Sequence, residues 1–253
     1  MNISSLEKQD TVVITKHILD RLNIPFPSAR EKKLLAPKRG NLIAAIENIE
    51  SIEKVWKLNK TDRQYTYGRK YPGESIGLWS VPCKSAQMLE NLAVLTGAKN
   101  ILEVGTSAGY SALHLAHGAS QNHGSVYTIE NLAEKIDLAK NNFNTSRLKN
   151  ITLIEGEALS ILINWKRKKK LDLVFLDADK ENYGKYFDLL VPLLKVGGLI
   201  VADNINDYGH MMEDYLQKVS GTHLPRSRTD HRVKSYYLAA LDNGLMFTKK
   251  ISD

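Results

Sequence analysis

Cysteine is almost absent: Cys83 stands alone, which excludes an internal disulfide and any zinc site built on thiolates. No apolar run approaches the roughly 18–20 residues of a membrane span. The polar opening MNISSLEKQD has no signal-peptide core, so the expectation is a cytoplasmic protein with no membrane partner. Internal repeats and low-complexity tracts are missing too. Acidic charge is in deficit, and the resulting net charge of +7 favours acidic or phosphorylated partners. The densest basic cluster is Lys166, Arg167, Lys168, Lys169 and Lys170. It reads either as a solvated loop or as a contact for a phosphate-bearing substrate, such as a coenzyme A thioester or an RNA.

What remains is ordinary for a globular chain, with 43% apolar and 25% charged residues. The 253 residues suffice for one large α/β domain and a smaller appendage. The run ILEVGTSAGYS, residues 101–111, carries most information. An apolar stretch leads into Glu103, a Gly105…Gly109 turn follows, and an apolar helix begins after it. That is a strand, a backbone-exposing loop and a helix N-terminus, which binds a small cofactor at the carboxyl edge of a parallel sheet. The third glycine of the dinucleotide fingerprint is lacking, since the loop reads E-x-G-x-x-x-G-x-S. An acid two residues before the first glycine repels phosphates but suits a ligand bearing an ammonium group. S-adenosylmethionine is such a ligand.

From about residue 84, strand and helix signals alternate with short connections. Strands are predicted over 100–104, 124–130, 151–155, 171–177 and 197–202, with a final hairpin of 236–241 and 245–249 around Asp242-Asn243-Gly244. Helices are predicted over 110–118, 131–143, 158–162, 183–194 and 211–219, the second opened by a capping box of Asn131 and Glu134. In the first 80 residues, 11–22 and 42–58 have helical periodicity, and 61–77 reads as a polar, Tyr- and Gly-rich loop. So few strand signals make a poor independent domain. Residues 1–80 are therefore read as a helical extension packing on the core, over its active-site edge or a dimer interface, and residues 81–253 as the α/β domain.

Glu130, Asp177 and Asp203 each end a predicted strand, and such ends converge on one crevice in an open parallel sheet. Any one of them alone could be an incidental helix cap. Glu130, about 20 residues after the loop, can accept bonds from both hydroxyls of an adenosine ribose, which fits NAD equally well. Asp177 with Asp203-Asn204 offers hard oxygen donors without imidazole or thiolate, a set that prefers Mg²⁺. Lys180 lies one turn beyond Asp177, where its ammonium could reach a metal-held hydroxyl. Its plain alternative is an exposed lysine at a helix start. Ionising a phenol of pKa about 10 at pH 7 costs roughly 4 kcal/mol, which a divalent cation and a neighbouring base can supply.

Four stretches, LTGAKNILEVGTSAGYSALHLA, EGEAL, LDLVFLDADKENY and LLKVGGLIVADN, resemble the cation-dependent O-methyltransferases that include the caffeoyl-coenzyme A and catechol enzymes. The resemblance covers about residues 80–250. It implies a Rossmann-like, seven-stranded, mostly parallel sheet with helices on both faces and a C-terminal antiparallel hairpin, S-adenosylmethionine as donor, Mg²⁺ and a homodimer. By motif it implies Glu103, Gly105 and Ser111 at the methionine end of the donor, Glu130 at the ribose, Ala158 by the adenine and Val81 and Asp177 in donor contact. It further implies Asp177, Asp203 and Asn204 as metal ligands and Lys180 as base. The chain departs from the pattern at Ser107, where the family often has an aromatic residue, at Ala86, where it often has glycine, and over the first 80 residues.

The activity expected is methyl transfer to a hydroxyl of a catechol-like or hydroxycinnamoyl-type small molecule. A tRNA hydroxyuridine methyltransferase is the alternative. A nucleotide-dependent dehydrogenase and a noncatalytic scaffold fit less well. Other residues take plain readings: His114 and His117 as structural, and Trp79, Trp165, Tyr183 and Tyr186 as core or rim rather than substrate stacking. Arg226, Arg228, His231 and Arg232 are read as a solvated loop rather than a lid.

Overall fold

The computed structural model describes residues 10–35, 38, 40–58, 77–219, 229–239, 241 and 243–253. Of the features expected from sequence, residues 61–76, Arg226, Arg228 and Asp242 lie outside these. The chain opens with α1 (Thr11–Arg21), α2 (Ser28–Glu31) and α3 (Gly40–Leu58), then α4 (Cys83–Thr96). Four strand–helix units follow: β1 (Asn100–Val104) and α5 (Tyr110–Ser120), β2 (Ser125–Glu130) and α6 (Ala133–Ser146), β3 (Ile151–Glu155) and α7 (Ala158–Ile163), β4 (Leu171–Leu176) and α8 (Tyr183–Leu193). The remainder is β5 (Leu194–Ala202), α9 (Ile205–Tyr208), α10 (Glu213–Val219), β6 (Val233–Leu238) and β7 (Leu245–Lys250).

The strands form one seven-stranded sheet in the order β3-β2-β1-β4-β5-β7-β6. The first five are parallel to their neighbours, and β7 runs antiparallel to both β5 and β6. The Rossmann-like, seven-stranded fold that the resemblance implies is the one observed. Strand alternation divides the core into two layers. Ile101, Leu173, Phe175, Leu199, Val201 and Phe247 share one buried cluster with α4 and α5. Leu102, Val104, Val174, Leu176, Ile200 and Met246 share the other with α8 and α10.

The N-terminal helices belong to the first layer. Ile14, Ile18 and Leu19 of α1 and Leu42, Ala45 and Ile49 of α3 lie in the same buried cluster as Met88 and Leu92 of α4. Among the described residues no helix is long and apolar enough to cross a membrane.

Two local expectations need correction. No capping box opens α6: Leu132 is its N-cap and no side chain bonds there. Instead the amides of Asn131 and Leu132 donate to Glu130 Oε1 at 3.0 and 3.1 Å, and the Asn131 side chain donates to Glu157 Oε2 at 3.0 Å. Strand β6 spans Val233–Leu238 rather than 236–241, and its register on β7 pairs Leu238 with Leu245.

Candidate active site

The loop after β1 exists in this shape because two positions tolerate no side chain. Gly105 has φ +100°, and a Cβ there would sit 1.9 Å from the Asp177 carbonyl oxygen. Gly109 has φ +93°, and its Cβ would lie 2.5 Å from the Phe143 ring. Only glycine enters this backbone region without steric cost. The loop is laced to the end of β2, since the Gly105 and Thr106 amides both donate to the Ile129 carbonyl at 3.1 Å. Ser107, also left-handed at φ +48°, donates its amide to Glu130 Oε2 at 2.8 Å and its hydroxyl to the Leu78 carbonyl. The residue that departs from the family pattern thus ties the loop to the segment preceding α4.

Glu103 is completely buried beneath this loop. Its Oε2 accepts from Thr128, whose hydroxyl also meets that of Thr106. Its Oε1 is buried without a hydrogen bond of ordinary geometry. Burial pushes the carboxyl up to about 8; Ser111 and Thr128 oppose the shift, and repulsion from Asp177 and Glu130 adds to it. Three carboxylates therefore sense one another around the glycine loop. Such a site favours a cation.

Asp177 and Asp203 follow adjacent strands whose last residues, Leu176 and Ala202, are register partners. Their amides donate to the Val104 and Leu176 carbonyls, at 2.9 and 3.1 Å, which carries the row of strand ends one residue further. Asp203 is 2% exposed, and its Oδ1 accepts the Asn204 amide at 2.6 Å. Asn204 turns the chain in the left-handed region, φ +66°, where asparagine is among the few residues accepted. Lys180 is not the exposed lysine of the plain reading, being 3% exposed. Its Nζ meets Asp177 Oδ1 at 2.6 Å and donates to Tyr183 Oη at 2.8 Å. Tyr183 in turn donates to the Leu176 carbonyl at 3.1 Å.

Glu103, Gly105, Ser111, Glu130, Asp177, Lys180, Asp203 and Asn204 thus gather at the carboxyl edge of β1, β2, β4 and β5. Ala158 opens α7 at the outer end of the same row, after Gly156, whose amide bonds the Glu130 carbonyl at 2.8 Å. Val81 is buried directly after the 78–80 segment that Ser107 holds. Two carboxylates and an amide oxygen on neighbouring strand ends form a donor set that suits a hard dication. Among the described residues there is no cluster of three or more His, Cys, Asp or Glu side chains suited to a metal.

Sequence reasoning missed Lys135, which is buried on α6. Burial lowers its pKa below the ordinary lysine value against the pull of Glu130, Asp177 and Glu53. Its Nζ stands 4.3 Å from the centre of the Trp79 ring. A lysine in a first helical turn looks solvent-exposed in sequence; only the approach of Trp79, itself left-handed at φ +49° and 48% exposed, covers it. The plain readings hold for His114, His117, Tyr183 and Tyr186. His114 and His117 point their Nδ1 atoms at Glu90, at 2.7 and 2.8 Å. Although burial alone would raise Glu90, these bonds and Lys38 hold it well below the usual carboxylate range. Tyr183 and Tyr186 are fully buried, and Arg232 pairs with Asp230 at 2.6 Å.

The family model described as O-methyltransferase matches residues 52–251. The chain is 35% identical over 138 residues to a catechol O-methyltransferase of Niastella koreensis, covering 53% of this chain and 62% of that protein. It is 36% identical over 133 residues to caffeoyl-CoA O-methyltransferase 1 of Eucalyptus globulus, covering 50% and 54%. The chain thus spans between half and two thirds of the length of these curated relatives. Among solved structures, an O-methyltransferase from Bacillus cereus in complex with SAH superposes with a TM-score of 0.61 at 23% identity, covering 94% of this chain and 97% of that one. TomG, an O-methyltransferase of Streptomyces achromogenes in complex with SAM, gives 0.64 at 20% identity over 87% and 93%.

Proposed function

The chain belongs to the O-methyltransferase family, and on that premise we propose that it transfers a methyl group from S-adenosylmethionine to a hydroxyl of a catechol-like or hydroxycinnamoyl-type small molecule. The observation that carries this reading is the buried Glu103 carboxyl group, whose Oε1 lacks a hydrogen bond of ordinary geometry, beside Glu130 and Asp177. An ammonium group can satisfy that oxygen, and a sulfonium is welcome where three acids repel one another. Glu130, already oriented by three backbone amides, presents its remaining lone pairs to the ribose. Gly105, Ser111, Val81 and Ala158 complete the donor's surroundings.

Asp177, Asp203 and Asn204 are the residues that would hold a divalent cation such as Mg²⁺. Bound there, the cation would act as a Lewis acid on the acceptor oxygens. Lys180 is the general base whose Nζ takes the acceptor hydroxyl's proton, and its ammonium then stabilises the phenolate. The phenolate oxygen then displaces the sulfide: an O–CH₃ bond forms, the S–CH₃ bond breaks, and S-adenosylhomocysteine leaves. Tyr183 fixes the lysine from behind, so the base does not wander on its flexible stem. Residues 1–80, through Glu53 near Lys135, serve the acceptor side or a subunit interface of a cytoplasmic homodimer, which light scattering would test.

The test is labelled methyl incorporation into catechols, hydroxycinnamoyl thioesters and hydroxylated tRNA, with and without Mg²⁺. Methylation of a vicinal diphenol, abolished by chelator and restored by Mg²⁺, is expected. Turnover that survives thorough chelation removes the cation from the reading, and incorporation into tRNA alone replaces the substrate class. The relatives described above carry catechol and caffeoyl-CoA in their names, and neither carries an RNA.

A further inference from the structure

The edge of the sheet opposite the glycine loop holds a cleft of about 470 Å³. It opens where β1, β2 and β4 begin, at Asn100, Ser125 and Leu171. Strands of five or six residues place it roughly 16–20 Å from the carboxyl edge. The basic run that the methyl-transfer site leaves unused comes to this cleft. Lys99, Arg167, Lys168 and Lys169 all line it, and among the described residues none that lines it is acidic.

None of these cations forms a salt bridge with a described acid. The nearest strand acid, Asp172, is already engaged: its Oδ2 accepts the Lys99 and Asn100 amides at 2.9 and 2.8 Å, and its Oδ1 pairs with Lys195 at 2.5 Å. Arg167 is also oriented. Its guanidinium carbon stands 3.8 Å from the Tyr127 ring centre and 5.8 Å from that of Trp165, while those two rings meet edge to face at 6.1 Å. A guanidinium held against aromatic rings keeps its N–H groups for a planar or tetrahedral oxyanion at little entropic cost.

We propose that this cleft is a second binding site, for a small polyphosphate. Four like charges lining a volume of small-molecule size repel one another, and a ligand that relieves the repulsion must carry several negative charges in the same volume. Linked phosphates do so, and Arg167 offers them its fork of donors. Inorganic polyphosphate and a nucleoside triphosphate share this chemistry, and the experiment separates them.

Calorimetry on the full chain at physiological ionic strength would compare inorganic triphosphate, ATP and tRNA, with thermal melts confirming that each variant folds. Saturable binding of triphosphate is expected, equal for ATP if the phosphates alone are read and tighter for ATP if the nucleoside contributes. Arg167→Ala with Lys168→Ala and Lys169→Ala should weaken it by about tenfold or more, and Arg167→Lys, which keeps the charge but loses the fork, by less. S-adenosylmethionine titrated into the same variants should bind as it does to the wild type. Failure of both small anions to bind, binding undiminished in the triple variant, or retention of tRNA alone would each overturn the proposal. Loss of donor binding in the wild type would instead count against the methyl-transfer reading and leave this result to be judged by itself.

Discussion

Glu103 concentrates the electrostatic argument in one residue. Its folded-state pKa of about 8 exceeds the ordinary 4.5, so between those values the folded chain holds a proton that the unfolded chain has released. Stability of the ligand-free protein should therefore fall as pH rises from about 4.5 to about 8. Melting temperatures across that range would reveal the slope, and Glu103→Gln should flatten it. The same variant should weaken donor binding roughly ten- to hundredfold, since a hydrogen bond to a charged group is lost. Donor binding near neutral pH should expel up to one proton, visible as buffer-dependent heat. Lys180→Ala and Asp203→Ala should separate by phenotype. The first is expected to keep cation affinity while turnover drops about 10²–10⁴-fold, and the second to lose cation affinity itself. Equal cation binding in both would break the assigned division of labour. These acids were legible in sequence because each ends an apolar run. The burial of Lys135 was not, because Trp79, distant in the chain, covers it.

At the scale of elements, the site is a row of strand ends aligned by register. Ile129, Val104, Leu176 and Ala202 are consecutive partners across β2, β1, β4 and β5, so whatever follows each strand is delivered to the same edge. Gly105 makes the closest approach in that row. Gly105→Ala would force its Cβ against the Asp177 carbonyl, with a cost of about 1–3 kcal/mol or more from overpacking and backbone strain. A lowered melting temperature together with reduced cation affinity is expected. Retention of both would mean that the loop yields independently of β4. Strand positions for β1 and β3 followed from composition alone, whereas the start of α6 did not. Asn131 has the chemistry of a cap, but its side chain donates to Glu157, and Leu132 becomes the N-cap. The register shift of β6 likewise came from its partner β7, not from its own alternation.

Across the whole molecule, the N-terminal helices are part of the main core. Ile18 is fully buried with residues of α3, α4 and β7, and Ile18→Ala should cost about 2–5 kcal/mol. Denaturant unfolding would show this as a shifted midpoint in a single transition if the helices and the sheet unfold together. A separate early transition would show that they come apart as units.

Local pattern by itself determined the strand–loop–helix units, the parallel order of the fold class and the acids at the strand ends, because those depend on periodicity and on residues within a few positions of one another. Tertiary structure alone decided that Glu103 keeps an oxygen without a hydrogen bond of ordinary geometry, that Lys135 lies beneath Trp79, and that the basic run faces a cleft lined by no acid among the described residues. Burial and charge pairing are set by contacts between distant segments, and no window of sequence contains both sides of such a contact.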